Sequence, residues 1–145
     1  MPVDFFSAME VSASGLAVER TRVNVASSNL ANANSTKGPD GTPYKRLDVM
    51  IQTRNLPASL ATPMAGQPAP STVEVTGLRQ DTTPPRLEYD PNHPDANAEG
   101  YVAYPNVNAI EEMVDMITAS RAYQAGVTAL DTATQLAERA LGIGR

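Results

Sequence analysis

Residues 108–141 constrain the fold of this 145-residue chain more than any other stretch. They contain no proline, and their pattern predicts one uninterrupted helix about 50 Å long. Asn108 is a typical N-cap residue, Glu111 follows where a capping box needs it, and Gly142 stands where a C′ glycine ends a helix. A helix of this length in so short a chain favours an extended, coiled-coil-like arrangement.

The predicted C-terminal helix has two apolar faces and one polar face when it is drawn at about 100° per residue. The face of large residues starts at Ala109 and contains Met113, Met116, Tyr123, Val127, Leu130 and Leu141. The face of small residues contains Ala122, Gly126, Ala129, Ala133 and Ala140. One apolar face is enough for one intramolecular partner, so the second predicts close packing by other helices. The alternative is a bundle helix in which alanine serves helix propensity alone.

A second helix is predicted from Phe5 to about Ala31, with Asp4 as its cap. Its apolar residues recur at seven-residue intervals in two sets, which are Met9, Leu16, Val23 and Leu30, and then Val11, Val18 and Val25. The valine set lies about 200° from the first set. A helix that is apolar on two sides is normally buried between partners, so we expect both helices to offer an apolar face to other chains. The alternative is that the valines are scattered on an exposed face.

Proline confines long helices to the two ends, because eleven of the twelve prolines lie between Pro39 and Pro105. Alternating patterns predict half-buried strands over 44–52 and 71–80 and short strands over 86–89 and 101–104. Residues 56–70 predict an Ala/Pro-rich loop. The predicted fold is mainly α, with long N- and C-terminal helices packed as a coiled-coil pair and a small β-rich, proline-rich insertion between them. Its three predicted parts are the N-terminal helix (1–34), the irregular β-rich insertion (35–107) and the C-terminal helix (108–145).

Composition excludes several classes of function. The net charge of −5, without a cluster of Lys or Arg, argues against nucleic acid or an anionic membrane as the main partner. The chain has no cysteine, which excludes disulfides, thiolate metal sites and a thiol nucleophile. The N-terminus lacks the basic start and apolar run of a cleaved signal peptide. Residues 55–73 are uncharged but contain four prolines, so no membrane insertion is predicted.

No active site is predicted. His93 is the only histidine, and its neighbours Asp90 and Asp95 in a Pro- and Asn-rich stretch indicate turn chemistry before a metal site. Neither a G-x-S-x-G elbow nor a phosphate-binding glycine loop is present. The helix dipole explains the acidic residues that open the C-terminal helix, although one of them could pair across a subunit contact. We therefore expect no enzyme activity, no cofactor and no metal.

Three segments resemble the flagellar basal-body rod and hook proteins. Residues 28–46, SNLANANSTKGPDGTPYKR, look like the N-terminal signature of that family, and residues 111–133, EEMVDMITASRAYQAGVTALDTA, resemble its C-terminal signature. Residues 90–108, DPNHPDANAEGYVAYPNVN, are similar to a segment typical of its proximal-rod members, which the short length also fits. Gly126 departs from the family, which usually has Asn there, and this puts in doubt an inter-subunit hydrogen bond at that position.

The resemblance implies a structural subunit of the bacterial flagellar basal-body rod. In that family the terminal helices pair and pack with those of neighbouring subunits around a hollow rod, which crosses the periplasm and transmits torque from the rotor to the hook. The implied partners are copies of this chain, other flagellar rod proteins and, during secretion, the type III export apparatus, which uses no cleaved signal. Phe5 and Met9 match its motif of Phe, three residues and an apolar residue, although they are also an i, i+4 core pair.

The residues expected at the assembly interface come from both helices. They are Met9, Val11, Leu16, Val18, Val23, Val25, Leu30, Met113, Met116, Ala122, Tyr123, Gly126, Val127, Ala129, Leu130, Ala133 and Leu141. The alternative function is a cytoplasmic coiled-coil adaptor or export-chaperone-like binding protein. Such a protein would keep the helices but would not need the Asn-rich segment, and fractionation would find it in the cytoplasm.

Overall fold

A computed structural model describes residues 2–38, 40–56 and 70–143 of the chain. Helix α1 spans Pro2–Ala31 and helix α2 spans Ala109–Ile143. Between them lie four strands, β1 (Leu47–Asn55), β2 (Ser71–Gln80), β3 (Arg86–Tyr89) and β4 (Tyr101–Tyr104). Strand β1 pairs with β2 and β3 with β4, so that the strands form two separate two-stranded sheets. The predicted fold class, two long terminal helices around a small β-rich insertion, is confirmed.

The start of helix α1 differs from the prediction. Helix α1 begins at Pro2, before the predicted start at Phe5, so Asp4 lies inside the helix and not at its N-cap. Proline is favoured in the first turn because its missing N–H group has no partner there in any case. The loop predicted over 56–70 lies mostly outside the described residues. Within the described parts, neither helix has the apolar run that a bilayer crossing needs.

The chain divides into two compact units, and each unit contains parts of both helices. Unit 1 comprises Met1–Thr21, Met50–Gly77 and Thr118–Arg145, and unit 2 comprises Arg22–Val49 and Leu78–Ile117. The division into 1–34, 35–107 and 108–145 stays a prediction. Because each unit draws residues from both ends of the chain, each depends on contacts that are distant in sequence.

In unit 1, strand β2 is bound to the valine side of α1. The Val73 N–H group donates a hydrogen bond of 3.2 Å to Oγ of Ser14, and Ser14 Oγ in turn donates to the Val11 carbonyl at 2.7 Å. Val18 follows Ser14 by one helical turn and is only 5% exposed. The sheet therefore covers this side of α1 in the single chain.

In unit 2, the start of β1 is bound to the same helix in a similar way. Asn29 Nδ2 donates to the Leu47 carbonyl at 2.9 Å, and Asn29 Oδ1 accepts the Leu47 N–H group at 3.0 Å. Val25, one turn before Asn29, is 8% exposed. Val18 and Val25 are therefore covered already in the single chain, where strands bind the same side of α1, and their place at the assembly interface stays a prediction.

The β3–β4 hairpin depends on one glycine. The strands pair antiparallel with Tyr89 opposite Tyr101. The two tyrosine rings pack edge to face, with 5.3 Å between their centroids. Gly100 closes the turn with a φ of 85°, in the left-handed region. A Cβ atom at this position would lie 2.9 Å from Cε2 of Tyr89. Both the backbone conformation and the ring above it therefore require glycine.

We expect Gly100→Ala to lower the free energy of unfolding by at least about 1–2 kcal/mol, since the left-handed backbone alone costs that much with a Cβ and the Tyr89 ring must also move. Urea unfolding followed by circular dichroism measures the loss. Gly77→Ala in β2 is the matched control, because an added Cβ there meets no atom of the described chain within 4 Å. Equal losses in the two variants would contradict the assignment.

Candidate assembly surface

The contact between α1 and α2 decides which side of each helix stays free. In unit 1, Leu16 packs against Gly126, where an added Cβ would lie 2.8 Å from Leu16 Cδ2 and 3.4 Å from its Cγ. Glycine at this position thus makes room for the leucine side chain. Gly126, which the sequence placed at a contact between subunits, lies in the chain's own helix pair.

A seam of seven-residue periodicity runs along α2 through this contact. Its positions alternate by three and four residues and are Glu112, Met116, Ala119, Tyr123, Gly126, Leu130, Ala133 and Ala137. All of them except Tyr123 are buried or half-buried. This is the spacing of a coiled-coil seam. The sequence pattern predicts separate faces for large and small residues. The seam instead contains both kinds, and its small residue Gly126 accommodates the large Leu16 side chain from α1.

In unit 2, the helices are joined by a buried polar cluster. Glu112 is 2% exposed and Asn29 is 1% exposed. Asn29 Nδ2 donates to Glu112 Oε2 at 3.0 Å, and Arg46 Nε donates to Glu112 Oε1 at 2.6 Å. Both carboxylate oxygens are therefore hydrogen-bonded and the charge is paired, which is the condition for keeping a carboxylate inside a protein.

The cluster extends outward from Arg46. Its Nη1 donates to Asp48 Oδ1, and Asp48 Oδ2 accepts from Arg79 Nη2 at 3.3 Å. Burial lowers the pKa of Arg46, but the hydrogen bond and charge of Glu112, together with Asp48, outweigh burial and raise that pKa. The guanidinium group therefore stays charged beside the buried carboxylate.

This cluster joins two of the three segments that carry the family resemblance. Asn29, Tyr44 and Arg46 belong to 28–46, and Glu112 belongs to 111–133; the Tyr44 hydroxyl donates to Asn29 Oδ1 at 2.8 Å. The sequence does not predict the cluster, because the helix dipole or a subunit contact is enough to explain Glu112 there. The available signal was a carboxylate at a seam position of α2, where burial demands a cationic partner from the same chain.

In the turn around His93, polar side chains form hydrogen bonds and an ion pair with other groups of the same chain. Asp95 Oδ2 accepts from the Thr36 hydroxyl at 2.8 Å, and Lys37 Nζ lies 3.6 Å from Asp95 Oδ1. The Thr36 hydrogen bond and the Lys37 charge lower the pKa of Asp95. His93 Nδ1 accepts the Asp95 N–H group at 3.1 Å. Within the described chain, no group of three or more His, Cys, Asp or Glu side chains could hold a metal ion.

The first two turns of α2 expose four large apolar side chains on one side. These are Ile110 (71% exposed), Met113 (42%), Val114 (56%) and Ile117 (50%). Their i, i+3, i+4, i+7 spacing puts them on one face, roughly 150° from Glu112 and the seam. We call these four residues the α2 apolar face. Of the four, only Met113 is among the interface residues predicted from the sequence, although the spacing of all four is visible in the sequence.

The expected interface residues differ in how much surface they leave free. Val18 and Val25 are buried. The half-buried ones are Met9, Val11, Leu16, Val23, Leu30, Met116, Gly126, Leu130 and Ala133. The exposed ones are Met113, Ala122, Tyr123, Val127, Ala129 and Leu141. The two residues of the expected export motif, Phe5 and Met9, are half-buried.

Helix α1 keeps only a narrow exposed side. Among its described side chains, all exposed ones except Ala8 fall within about 100° of the helix circumference. These residues, which we call the α1 stripe, are Phe6, Glu10, Ala13, Ala17, Arg20, Asn24, Ser27 and Ala31. Half of them are small, namely three alanines and one serine. The two helices are thus unequal, since α1 is largely covered by its own chain and α2 is not.

Comparison with known proteins identifies the relatives of this chain. Residues 9–39 match the family described as flagella basal body rod protein, and residues 98–143 match the family described as flagellar basal body rod FlgEFG protein C-terminal. The flagellar basal-body rod protein FlgC of Borreliella burgdorferi is 38% identical over 95% of this chain and 96% of its own length. The proteins of that name from Bacillus subtilis and Salmonella typhimurium are each 40% identical, over 97% and 94% of this chain and 98% and 95% of their own lengths. Asn29 lies in the first matched region and Glu112 in the second, so the polar cluster connects the two.

Proposed function

This chain belongs to the flagellar basal-body rod protein family and is a structural subunit of the flagellar basal-body rod, and we propose that it assembles through the exposed faces of its two terminal helices. Its partners are other rod proteins of the basal body, including copies of itself. In this proposal the rod crosses the periplasm and transmits torque from the rotor to the hook. The subunit acts mechanically and catalyses no reaction.

The α2 apolar face is the observation on which the proposal rests. Burying a large apolar side chain contributes about 1.5–3 kcal/mol, and four such side chains lie in solvent together in the single chain. Exposed apolar clusters of this kind mark contacts with other proteins. Since strands already cover the valine side of α1, the α2 apolar face is a surface that stays free for assembly.

Resistance to shear has a physical basis in the helix pair. Leu16 seated against Gly126 opposes sliding in unit 1, and the Glu112–Arg46 pair ties α2 to the start of β1 in unit 2. Close-packed contacts deform little, because any shift of one helix against the other removes dispersion contacts and leaves polar groups without hydrogen-bond partners. A subunit held in this way can pass torque to its neighbours without changing shape.

Export is the second part of the proposal. The subunit leaves the cytoplasm unfolded through the flagellar export apparatus, without a cleaved signal, and Phe5 and Met9 serve as its export motif. The alternative of a cytoplasmic adaptor or export-chaperone-like protein predicts that the chain stays in the cytoplasm. Immunoblotting of purified basal bodies and of the cytoplasmic fraction separates the two functions.

We expect Ile117→Glu to abolish swimming while the protein stays folded and exported. The side chain is exposed in the single chain, so the fold tolerates the change, but a charge in a dehydrated interface costs several kcal/mol. Motility in soft agar and the amount of subunit in purified basal bodies measure the effect. Gln135→Glu is the matched control, because it adds the same charge at an exposed polar position of α2.

The control should swim and assemble as the wild type does. Wild-type swimming by Ile117→Glu, with normal incorporation into basal bodies, would show that the α2 apolar face is not an assembly surface. Helix content by circular dichroism excludes unfolding as the cause of a loss.

A further inference from the structure

We propose that the α2 apolar face of one copy binds the α1 stripe of a second copy around Ala13, Ala17 and Arg20. This inference rests on the assembly function proposed above and names the partner of that surface. It is supported by the size of the side chains, by their charges and by the difference between the two surfaces.

The two surfaces are complementary in size. The α2 apolar face presents branched and long side chains, whereas the α1 stripe presents small ones at Ala13 and Ala17. Helices pack when the side-chain ridges of one fit the grooves of the other, and small residues let the axes approach closely. Both surfaces also have the same length, since Ile110 to Ile117 and Ala13 to Arg20 each cover about 10 Å of helix.

Their charges are complementary as well. Glu111 is exposed about 60° from Val114, along one edge of the α2 apolar face, whereas Asp115 lies about 100° from Val114 and away from that face. Arg20 is exposed on the α1 stripe, one turn from Ala17. In the described chain none of these three charges has an ion-pair partner. Docking therefore brings the free Arg20 cation beside the free Glu111 carboxylate, which favours the encounter and sets its register.

The same charges argue against another occupant. If two copies met through their α2 apolar faces, Glu111 of one copy would lie near Glu111 of the other, and like charges at an interface are unfavourable. A contact between two different surfaces leaves each copy with one of them still free. Such a heterologous contact extends into an open helical assembly and does not stop at a dimer.

Cross-linking between copies tests the contact. The natural chain has no cysteine, so two single variants, Ala17→Cys and Val114→Cys, can form a mixed disulfide only between two chains. We expect oxidation of basal bodies from cells that express both variants to give a chain dimer, which neither variant gives alone. A disulfide requires Cα atoms within about 7 Å, so the product reports direct contact. Ala17→Cys with Gln135→Cys, also exposed, is the control and should give no dimer.

The outcomes separate this inference from the assembly function. If both variants enter basal bodies but give no mixed dimer, the proposed pairing is wrong and the assembly function stands. Dimers from one variant alone, or a cross-link to a different rod protein, would also overturn the pairing. Absence of the wild-type chain from basal bodies would instead contradict the assembly function.

Charge reversal provides an independent test. We expect Arg20→Glu to lose swimming, since it places an acid against Glu111. Adding Glu111→Arg to the same chain should restore swimming, because the two charges are then exchanged. Failure of this rescue, in a variant that still folds, would show that Arg20 does not meet Glu111.

Discussion

Replacing Arg46 with methionine should lower the free energy of unfolding by about 3–5 kcal/mol, the usual loss when one partner of a buried ion pair is removed. Methionine keeps most of the apolar stem but removes the donor to Glu112 Oε1. The buried carboxylate then keeps only the Asn29 amide as a partner. Because domains are stable by about 5–15 kcal/mol in total, the loss is a large share of what holds the subunit folded.

A double-mutant cycle identifies the cause. Glu112→Gln alone and Arg46→Met with Glu112→Gln are compared with the wild type by urea unfolding. We expect the double variant to lose less than the sum of the two single variants, because it contains no unpaired buried charge. Strict additivity of the two single losses would contradict this account.

Asn29→Ala is the second substitution with a large expected effect. Asn29 satisfies the N–H and carbonyl groups of Leu47, the Tyr44 hydroxyl and one oxygen of Glu112. A buried polar group left without its partner costs about 1–3 kcal/mol. The Tyr44 side chain is half-buried and can turn towards water, so we expect a loss of at least about 3 kcal/mol from the other groups.

Asn32→Ala is the matched control for this substitution. Asn32 is half-buried and makes two side-chain hydrogen bonds, to the Ser28 carbonyl at 2.9 Å and from the Ser35 hydroxyl at 3.2 Å. Its loss should be near the ordinary value of about 1 kcal/mol per hydrogen bond. Amide hydrogen exchange gives the specific readout, because Leu47 N–H should lose protection in Asn29→Ala and keep it in Asn32→Ala. Equal stability losses with Leu47 still protected in both would show that Asn29 does not hold β1.

Much of the local structure follows from the sequence because it depends on neighbouring residues. The short strands predicted over 86–89 and 101–104 are found as β3 and β4, and the second strand prediction coincides with β2. Proline limits the helices to the two ends of the chain, and side-chain periodicity distinguishes helix from strand. Both signals act over a few residues and need no knowledge of what packs where. The resemblance of the two signature segments to a known family likewise depends only on their amino-acid sequences.

What covers each face was decided by the tertiary structure. Periodicity shows that α1 is apolar at Val18 and Val25, but only the fold shows that both are buried, on a side of α1 that binds strands from a distant part of the chain. Glu112 fits a helix dipole in the sequence, and only the fold brings Asn29 and Arg46 to its two oxygens. The apolar spacing of Ile110 to Ile117 could be seen in advance, but its exposure could not. Burial is a property of contacts between residues far apart in the chain, so a local pattern shows which side is apolar and leaves open what lies against it.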